Sequence, residues 1–127
     1  MKRNWEVETT VYKHIVSFYQ GSTAQLGYFR KAKDNQKEVD VVVELPREKI
    51  LCEVKYRNNS HISSADAIVE LCKDEKPKVT NAFLVTKRLD DFGITKHETQ
   101  VPIFRIPAIA FVYLLGKAEA DGQSGKM

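Results

Sequence analysis

The sequence has few of the features that mark a secreted, membrane or metal-scaffold protein. It contains 127 residues and only two cysteines, and its longest apolar run, AIAFVYLL at 108–115, has eight residues. A bilayer span needs about 20 apolar residues, so we expect no membrane association. The opening MKRNWEVETT has no apolar stretch after its positive start, so we expect no secretory signal. Cys52 and Cys72 lack metal-ligand spacing and are interpreted as small core residues. We therefore expect a reduced, cytoplasmic protein.

The composition is that of an ordinary globular domain, with 43% hydrophobic and 29% charged residues. The net charge of +3 permits a basic face for an anionic partner without requiring one. Residues 1–118 are predicted to form a single domain. The polar, glycine-containing end, 119–127, is predicted to be a disordered tail.

Hydrophobic periodicity predicts the element order α-β-β-β-α-β-β-α. This order indicates the α/β class, with a mixed sheet flanked by helices. Pro107 is expected at the first position of the last helix, where proline is favoured. The predicted helices are 5–19, 64–75 and 108–117, and the predicted strands are 28–32, 38–45, 50–56, 79–86 and 101–106.

Charged residues are set into two valine-rich strands. We predict a hairpin across the turn PREK (46–49), in the register that places Asp40 opposite Lys55 and Val42 opposite Glu53. Because successive strand residues alternate between faces, the two acids and the lysine share one face. The opposite face is expected to carry Val39, Val41, Val43, Leu45, Ile50, Cys52, Val54 and Tyr56.

The first helix adds a third acid. Glu8 lies on the same stripe as Val11 and Ile15, whereas Glu6 is turned by about 200° from Glu8. A buried carboxylate is unfavourable by several kcal/mol unless a cation or hydrogen-bond donors compensate for its charge. The stripe predicts that Glu8 faces the core. Because such a position needs compensation, we expect Glu8 to converge with the hairpin acids and the lysine.

Three carboxylates and a lysine suit a particular chemistry. Hard oxygen ligands favour Mg²⁺ or Mn²⁺, and a neighbouring lysine stabilises charge that develops on a phosphoryl group. Metal, water and lysine together favour hydrolysis of a phosphodiester. A simpler interpretation remains open, in which Asp40 and Lys55 form a cross-strand ion pair and Glu8 interacts with the helix dipole.

The pattern resembles the PD-(D/E)xK nuclease superfamily, which has a restriction-endonuclease-like core. The matching residues are Glu8, the Asp40 of EVD, and the Glu53 and Lys55 of EVK, with twelve residues between Asp40 and Glu53. The resemblance implies that Asp40, Glu53 and the backbone carbonyl of Val54 hold Mg²⁺ or Mn²⁺. It also implies that Lys55 positions or activates the attacking water and that Glu8 completes the site. A valine replaces the proline of the superfamily's name.

A second likeness covers about residues 5–116. The segments YFRKAKDNQKEVDVVVE, ILCEVKY and AFLVTK, followed by a late IP and an apolar helix, are similar to the C-terminal domain of prokaryotic AAA-type ATPases. The chain shows no Walker motif, because the glycines of GSTAQLG precede a strand and no GK[ST] follows them. This likeness implies an alternative function, a non-catalytic domain that binds nucleic acid, a partner or an ATPase domain.

Basic residues near the predicted strand ends indicate nucleic acid as a candidate partner. Arg30, Lys31 and Arg57 are candidates for binding nucleic-acid phosphates, although an ordinary solvated surface has the same composition. A further interpretation is a homodimer that associates through the apolar helix at 108–115.

Overall fold

The computed structural model describes residues 5–31, 34–58, 61–62, 66–73, 79–95 and 99–124, and the side chains of 29–38 and 122–124 lie outside this description. Three helices and six strands occur in the described residues. In chain order they are α1 (Trp5–Tyr19), β1 (Gln25–Lys31), β2 (Asp34–Glu44), β3 (Lys49–Lys55), α2 (Ala67–Lys73), β4 (Asn81–Thr86), β5 (Gly93–Ile94), β6 (Ile103–Pro107) and α3 (Ala108–Ser124).

The strands form one mixed sheet in the order β1-β2-β3-β4-β6-β5. β1, β2 and β3 pair as an antiparallel meander, and β3, β4 and β6 are mutually parallel. The short strand β5 pairs antiparallel with β6 at the sheet edge. The predicted α/β class, a mixed sheet flanked by helices, is confirmed.

Several predicted boundaries were wrong. The strand at 93–94 was not predicted, because two residues carry no periodicity. β1 begins at Gln25 rather than at residue 28, because Gln25 and Leu26 pair with the end of β2. Pro107 is the last residue of β6 rather than the first of the helix. The predicted ends of the second helix at 64–65 and 74–75 lie outside the described residues.

The last helix is longer than predicted. α3 continues to Ser124, beyond the predicted end at residue 117 and into the segment expected to be disordered. The hydroxyl of Ser17 on α1 donates a hydrogen bond of 2.9 Å to the Glu119 carboxylate. This contact between helices ties the extension to the domain, which local composition could not indicate. Residues 125–127 lie outside the description.

The sheet packs on both faces. On one face, Val42, Leu51 and Leu84 pack against α2. On the other face, Val41, Cys52 and Val85 pack against α1 and α3. These alternating positions show that α1 and α2 cover opposite faces. In the part of the chain that the structure describes, no helix has both the length and the apolar character needed to cross a membrane.

The register of the β2–β3 hairpin differs from the prediction. Val42 pairs with Leu51 rather than with Glu53, a shift of two residues. The backbone groups of Leu45 and Glu48 exchange hydrogen bonds of 2.9 and 3.4 Å, which leaves a turn of only two residues. The predicted four-residue turn was therefore too long. Because the side-chain period of a strand is two residues, the shift leaves the predicted faces unchanged.

Candidate functional site

A β-bulge lies at the predicted acid of β2. Gly27 pairs with Val42, but Phe29 pairs with Val39, so Asp40 and Val41 together lie opposite the single residue Tyr28. A bulge breaks the alternation of side chains and changes the direction of those near it. Val39 consequently packs in the same core as Val42, on the α2 face. Its predicted place on the opposite face was wrong for this reason.

Asp40 forms a specific contact across the hairpin. The Val54 N–H donates a hydrogen bond of 2.7 Å to Oδ2 of Asp40. In a regular antiparallel ladder, every second pair of opposite residues exchanges backbone hydrogen bonds. Val39 and Val54 would form such a pair, so the Val39 carbonyl would be the expected acceptor for the Val54 N–H. The Asp40 carboxylate takes that position, and the same alternation directs the Val54 carbonyl towards β2. The bulge thus brings a carboxylate against the backbone of β3.

Glu53 and Lys55 follow Leu51 along β3 at steps of two residues. Because Leu51 belongs to the core on the α2 face, Glu53 and Lys55 lie on that face as well. Glu53 is buried, with 8% of its surface exposed. Continuing the observed pairing by one residue places Asp40 beside Glu53, so the two acids are neighbours across the hairpin. The sequence prediction that the two acids and Lys55 share a face agrees with this placement.

The partner of Lys55 is an acid that the sequence analysis did not select. Nζ of Lys55 lies 3.8 Å from Oδ2 of Asp66, and their side chains are 17% and 23% exposed. Asp66 directly precedes α2, and its carbonyl accepts hydrogen bonds from the Val69 and Glu70 N–H groups. Its position before a helical pattern suggests only a helix cap. The fold also makes it the ion-pair partner of Lys55.

We call Asp40, Glu53, Lys55 and Asp66 the acidic cluster. These four side chains comprise three carboxylates and one ammonium, so the formal charge of the set is negative. The field of two of these acids extends through the sheet to Cys52. Burial raises the pKa of the Cys52 thiol, and the charges of Asp40 and Glu53 raise it further. The thiol itself is buried and protonated at neutral pH, so Cys52 is a core residue.

Glu8 is the third acid of the predicted site. It is half-buried on α1, which packs on the face opposite α2. Within the described residues, no three or more His, Cys, Asp or Glu side chains lie close enough to hold a metal ion. The structure therefore brings neither Glu8 nor Asp66 together with Asp40 and Glu53 closely enough for three acids to hold one ion.

Two carboxylate oxygens are deeply buried. Oε2 of Glu8 and Oε2 of Glu53 have no hydrogen-bond partner among the described residues, although both residues take part in other polar interactions. Buried carboxylates are unfavourable unless charge compensates them. Their placement gives each acid a chemical environment unlike that of a solvated surface residue.

The predicted nucleic-acid-binding residues are placed only in part. Arg30 and Lys31 belong to β1, and their side chains lie outside the described residues. Arg57 follows β3 and is half-buried, and its Nη2 donates a hydrogen bond of 3.5 Å to the His61 carbonyl. Arg57 lies two residues beyond Lys55, near the acidic cluster along the chain.

Two further polar residues lie on the face of the acidic cluster. Thr86 pairs with Lys55 at the end of β4 and is fully buried. Arg105 pairs with Leu84, the β4 neighbour of Glu53, and forms a two-point ion pair of 2.8 and 3.2 Å with Asp91. Alternation within each strand was visible in the sequence, but the alignment of β3, β4 and β6 was not.

A comparison with family models gives one result. Residues 6–106 match the model of a domain of unknown function (DUF4143). This family is typically found in AAA-ATPase proteins, in agreement with the likeness seen in the sequence. A search of curated proteins finds no match.

The nuclease resemblance, the metal, the nucleic-acid partner, the homodimer and the cytoplasmic location stay predictions. The family match covers well over half of the 127 residues and includes every predicted site residue. The chain therefore belongs to the DUF4143 family.

Proposed function

We propose that this domain hydrolyses phosphodiester bonds of DNA or RNA at the acidic cluster, with Mg²⁺ or Mn²⁺ as cofactor. The observation that carries the proposal is the hydrogen bond from the Val54 N–H to Asp40. This bond holds a carboxylate beside Glu53, on the sheet face that also presents Lys55. The arrangement supports the roles that the PD-(D/E)xK resemblance implies for these three residues.

The residues of the cluster fit a hard divalent cation. Mg²⁺ is commonly held by one or two carboxylates, with water and substrate phosphate oxygens as its other ligands. Asp40, Glu53 and the Val54 carbonyl would hold the ion, and the excess of carboxylates over ammonium groups favours a cation. When bound, it would supply Lewis-acid activation of water and neutralise charge on the phosphoryl group.

Each side chain of the cluster has a role that its surroundings support. Asp40 is fixed by the backbone of β3, so its carboxylate is oriented before any ligand binds. Lys55 lies 3.8 Å from Asp66 and can stabilise negative charge on a phosphate oxygen. Glu53 is largely shielded from water, which strengthens its interaction with any cation beside it.

A second candidate is a non-catalytic domain of an AAA-type ATPase that binds nucleic acid or a partner. Two observations favour it: Lys55 is engaged by Asp66, and no three acids of the described residues lie close enough together to hold a metal ion. The occurrence of the family in AAA-ATPase proteins is consistent with both candidates.

The two candidates differ in a cleavage assay. Labelled single-stranded and duplex DNA and RNA are incubated with the purified protein and Mg²⁺, Mn²⁺ or EDTA. We expect metal-dependent cleavage that falls at least about 100-fold in Asp40→Asn and Lys55→Ala, since one charge-stabilising group typically contributes that much. The matched control is Lys49→Ala, at the other end of β3, where Lys49 pairs with Glu44 at 3.3 Å.

Cleavage that persists in Lys55→Ala would come from a contaminant and would refute hydrolysis at this site. Metal-independent binding of the same nucleic acids without cleavage would favour the non-catalytic candidate.

A further inference from the structure

Thr86 has a buried hydroxyl in an unusual position. It is the last residue of β4 and is 0% exposed. Its Oγ1 has no hydrogen-bond partner among the described residues. Burying a hydroxyl without a partner destabilises the folded state, and a valine of nearly the same shape would avoid that loss. The position is otherwise apolar, because Leu84 and Val85 immediately before it belong to the two cores.

The neighbours of Thr86 place this hydroxyl at the acidic cluster. In the parallel register Thr86 pairs with Lys55 on one side and with Pro107 on the other. Paired residues of neighbouring strands lie about 4.8 Å apart, within reach of a lysine side chain. Lys55 is directed to the same face, since its ammonium contacts Asp66 at the start of α2.

The contact with Asp66 is too long to fix the ammonium group by itself. Its 3.8 Å separation exceeds the usual 2.7–3.2 Å of a hydrogen bond from nitrogen to oxygen. An ammonium group has three donors and needs more than one acceptor to be oriented. Thr86 offers a second acceptor that is shielded from water.

We propose that Thr86 is a positioning residue for Lys55. In the structure the Lys55 ammonium lies 3.8 Å from Asp66 and Thr86 Oγ1 has no partner among the described residues; the ammonium alternates between this position and one in which it donates to the Thr86 hydroxyl, and a further donor is left for a phosphate oxygen of the substrate. This inference rests on the proposed function for the role of that further donor. The contact between Thr86 and Lys55 can be tested without any substrate.

Two variants separate a positioning role from a structural one. Thr86→Val keeps the shape and removes the hydroxyl, whereas Thr86→Ser keeps the hydroxyl and removes a methyl group. We expect Thr86→Val to leave the Tm nearly unchanged, because the lost hydrogen bond to Lys55 offsets the gain from removing a buried hydroxyl, and to lower kcat about tenfold, as for a misplaced catalytic group. KM should stay within about twofold. Thr86→Ser should lower the Tm and retain most of kcat, so one variant changes activity and the other changes stability.

A second measurement follows Lys55 directly. Lysine labelled with ¹³C at Cε gives side-chain order parameters by NMR relaxation, with Lys55→Arg used to assign the signal. We expect the order parameter of Lys55 to fall in Thr86→Val towards that of the exposed Lys117, and to be kept in Thr86→Ser. The signal of Lys49, at the far end of β3, should not change.

The outcomes distinguish this inference from the proposed function. If wild type does not cleave but Lys55 loses order only in Thr86→Val, hydrolysis is refuted and the positioning contact stands. If the order parameter of Lys55 is the same in all three proteins, the inference is overturned, whether or not wild type cleaves. A loss of kcat that Thr86→Ser shares with Thr86→Val would also overturn it.

Discussion

Replacing Asp40 by asparagine tests how the carboxylate is held and what its charge contributes to stability. The amide oxygen of asparagine can still accept the Val54 N–H, but the charge-assisted bond becomes neutral, a loss of about 1 kcal/mol. The substitution also removes repulsion between Asp40 and Glu53. At an effective dielectric constant of about 20 and about 6 Å this repulsion is about 3 kcal/mol, and we take about 1–2 kcal/mol after screening because Asp40 is only half-buried. Asp40→Asn should therefore lie within about 1 kcal/mol of wild type.

Asp40→Ala removes the acceptor as well as the charge. Because both variants lack the charge, the repulsion with Glu53 cancels when they are compared. The difference is the lost hydrogen bond of Val54, so Asp40→Ala should be less stable than Asp40→Asn by about 1–3 kcal/mol. Glu44→Gln, at an exposed position of the same strand, should change stability by less than about 0.5 kcal/mol and serves as control.

The assay is urea unfolding followed by circular dichroism, in EDTA and at increasing Mg²⁺. Mg²⁺ at ten times its Kd should stabilise wild type by about 1.4 kcal/mol and leave Asp40→Asn unchanged. Equal stability of the asparagine and alanine variants would refute the contact between Asp40 and the Val54 backbone. Equal stabilisation of wild type and Asp40→Asn by Mg²⁺ would refute a cation site at the acidic cluster.

Three further predictions concern the surroundings of the cluster. Asp66→Asn keeps a good helix cap and loses an ion pair that is mostly buried but 3.8 Å long, so thermal unfolding should show a loss of about 1–2 kcal/mol, and a loss above about 3 kcal/mol would contradict this. A double-mutant cycle with Arg105→Met and Asp91→Asn should give a coupling of about 1–2 kcal/mol, because these side chains are only 24% and 14% exposed, and additive effects would refute it. Burial raises the pKa of the Cys72 thiol from 9.0 to about 11. The stabilisation from burying the neutral thiol is therefore complete below pH 9 and is lost as the pH rises to about 11. Urea unfolding should show a loss of up to about 1.4 kcal/mol per pH unit from this thiol, and Cys72→Ala should remove it.

The sequence by itself determined which face the hairpin side chains occupy, except for Val39 beside the bulge. Valines and charged residues alternate with a period of two, so Glu53 and Lys55 share a face in the predicted register and in the observed one. The error of two residues in the turn did not matter, since only an odd shift would have reversed the faces. The stripe on the first helix likewise predicted that Glu8 is partly shielded from water.

Tertiary structure decided what these side chains contact. The bulge at Asp40 depends on how β1 pairs with β2, and the ion pair of Lys55 depends on where α2 packs. Thr86 lies beside Lys55 only through the parallel register of β3 and β4, which a long connection separates in sequence. Periodicity reports the local direction of side chains, but contacts between distant segments are set by the packing of both cores around the sheet.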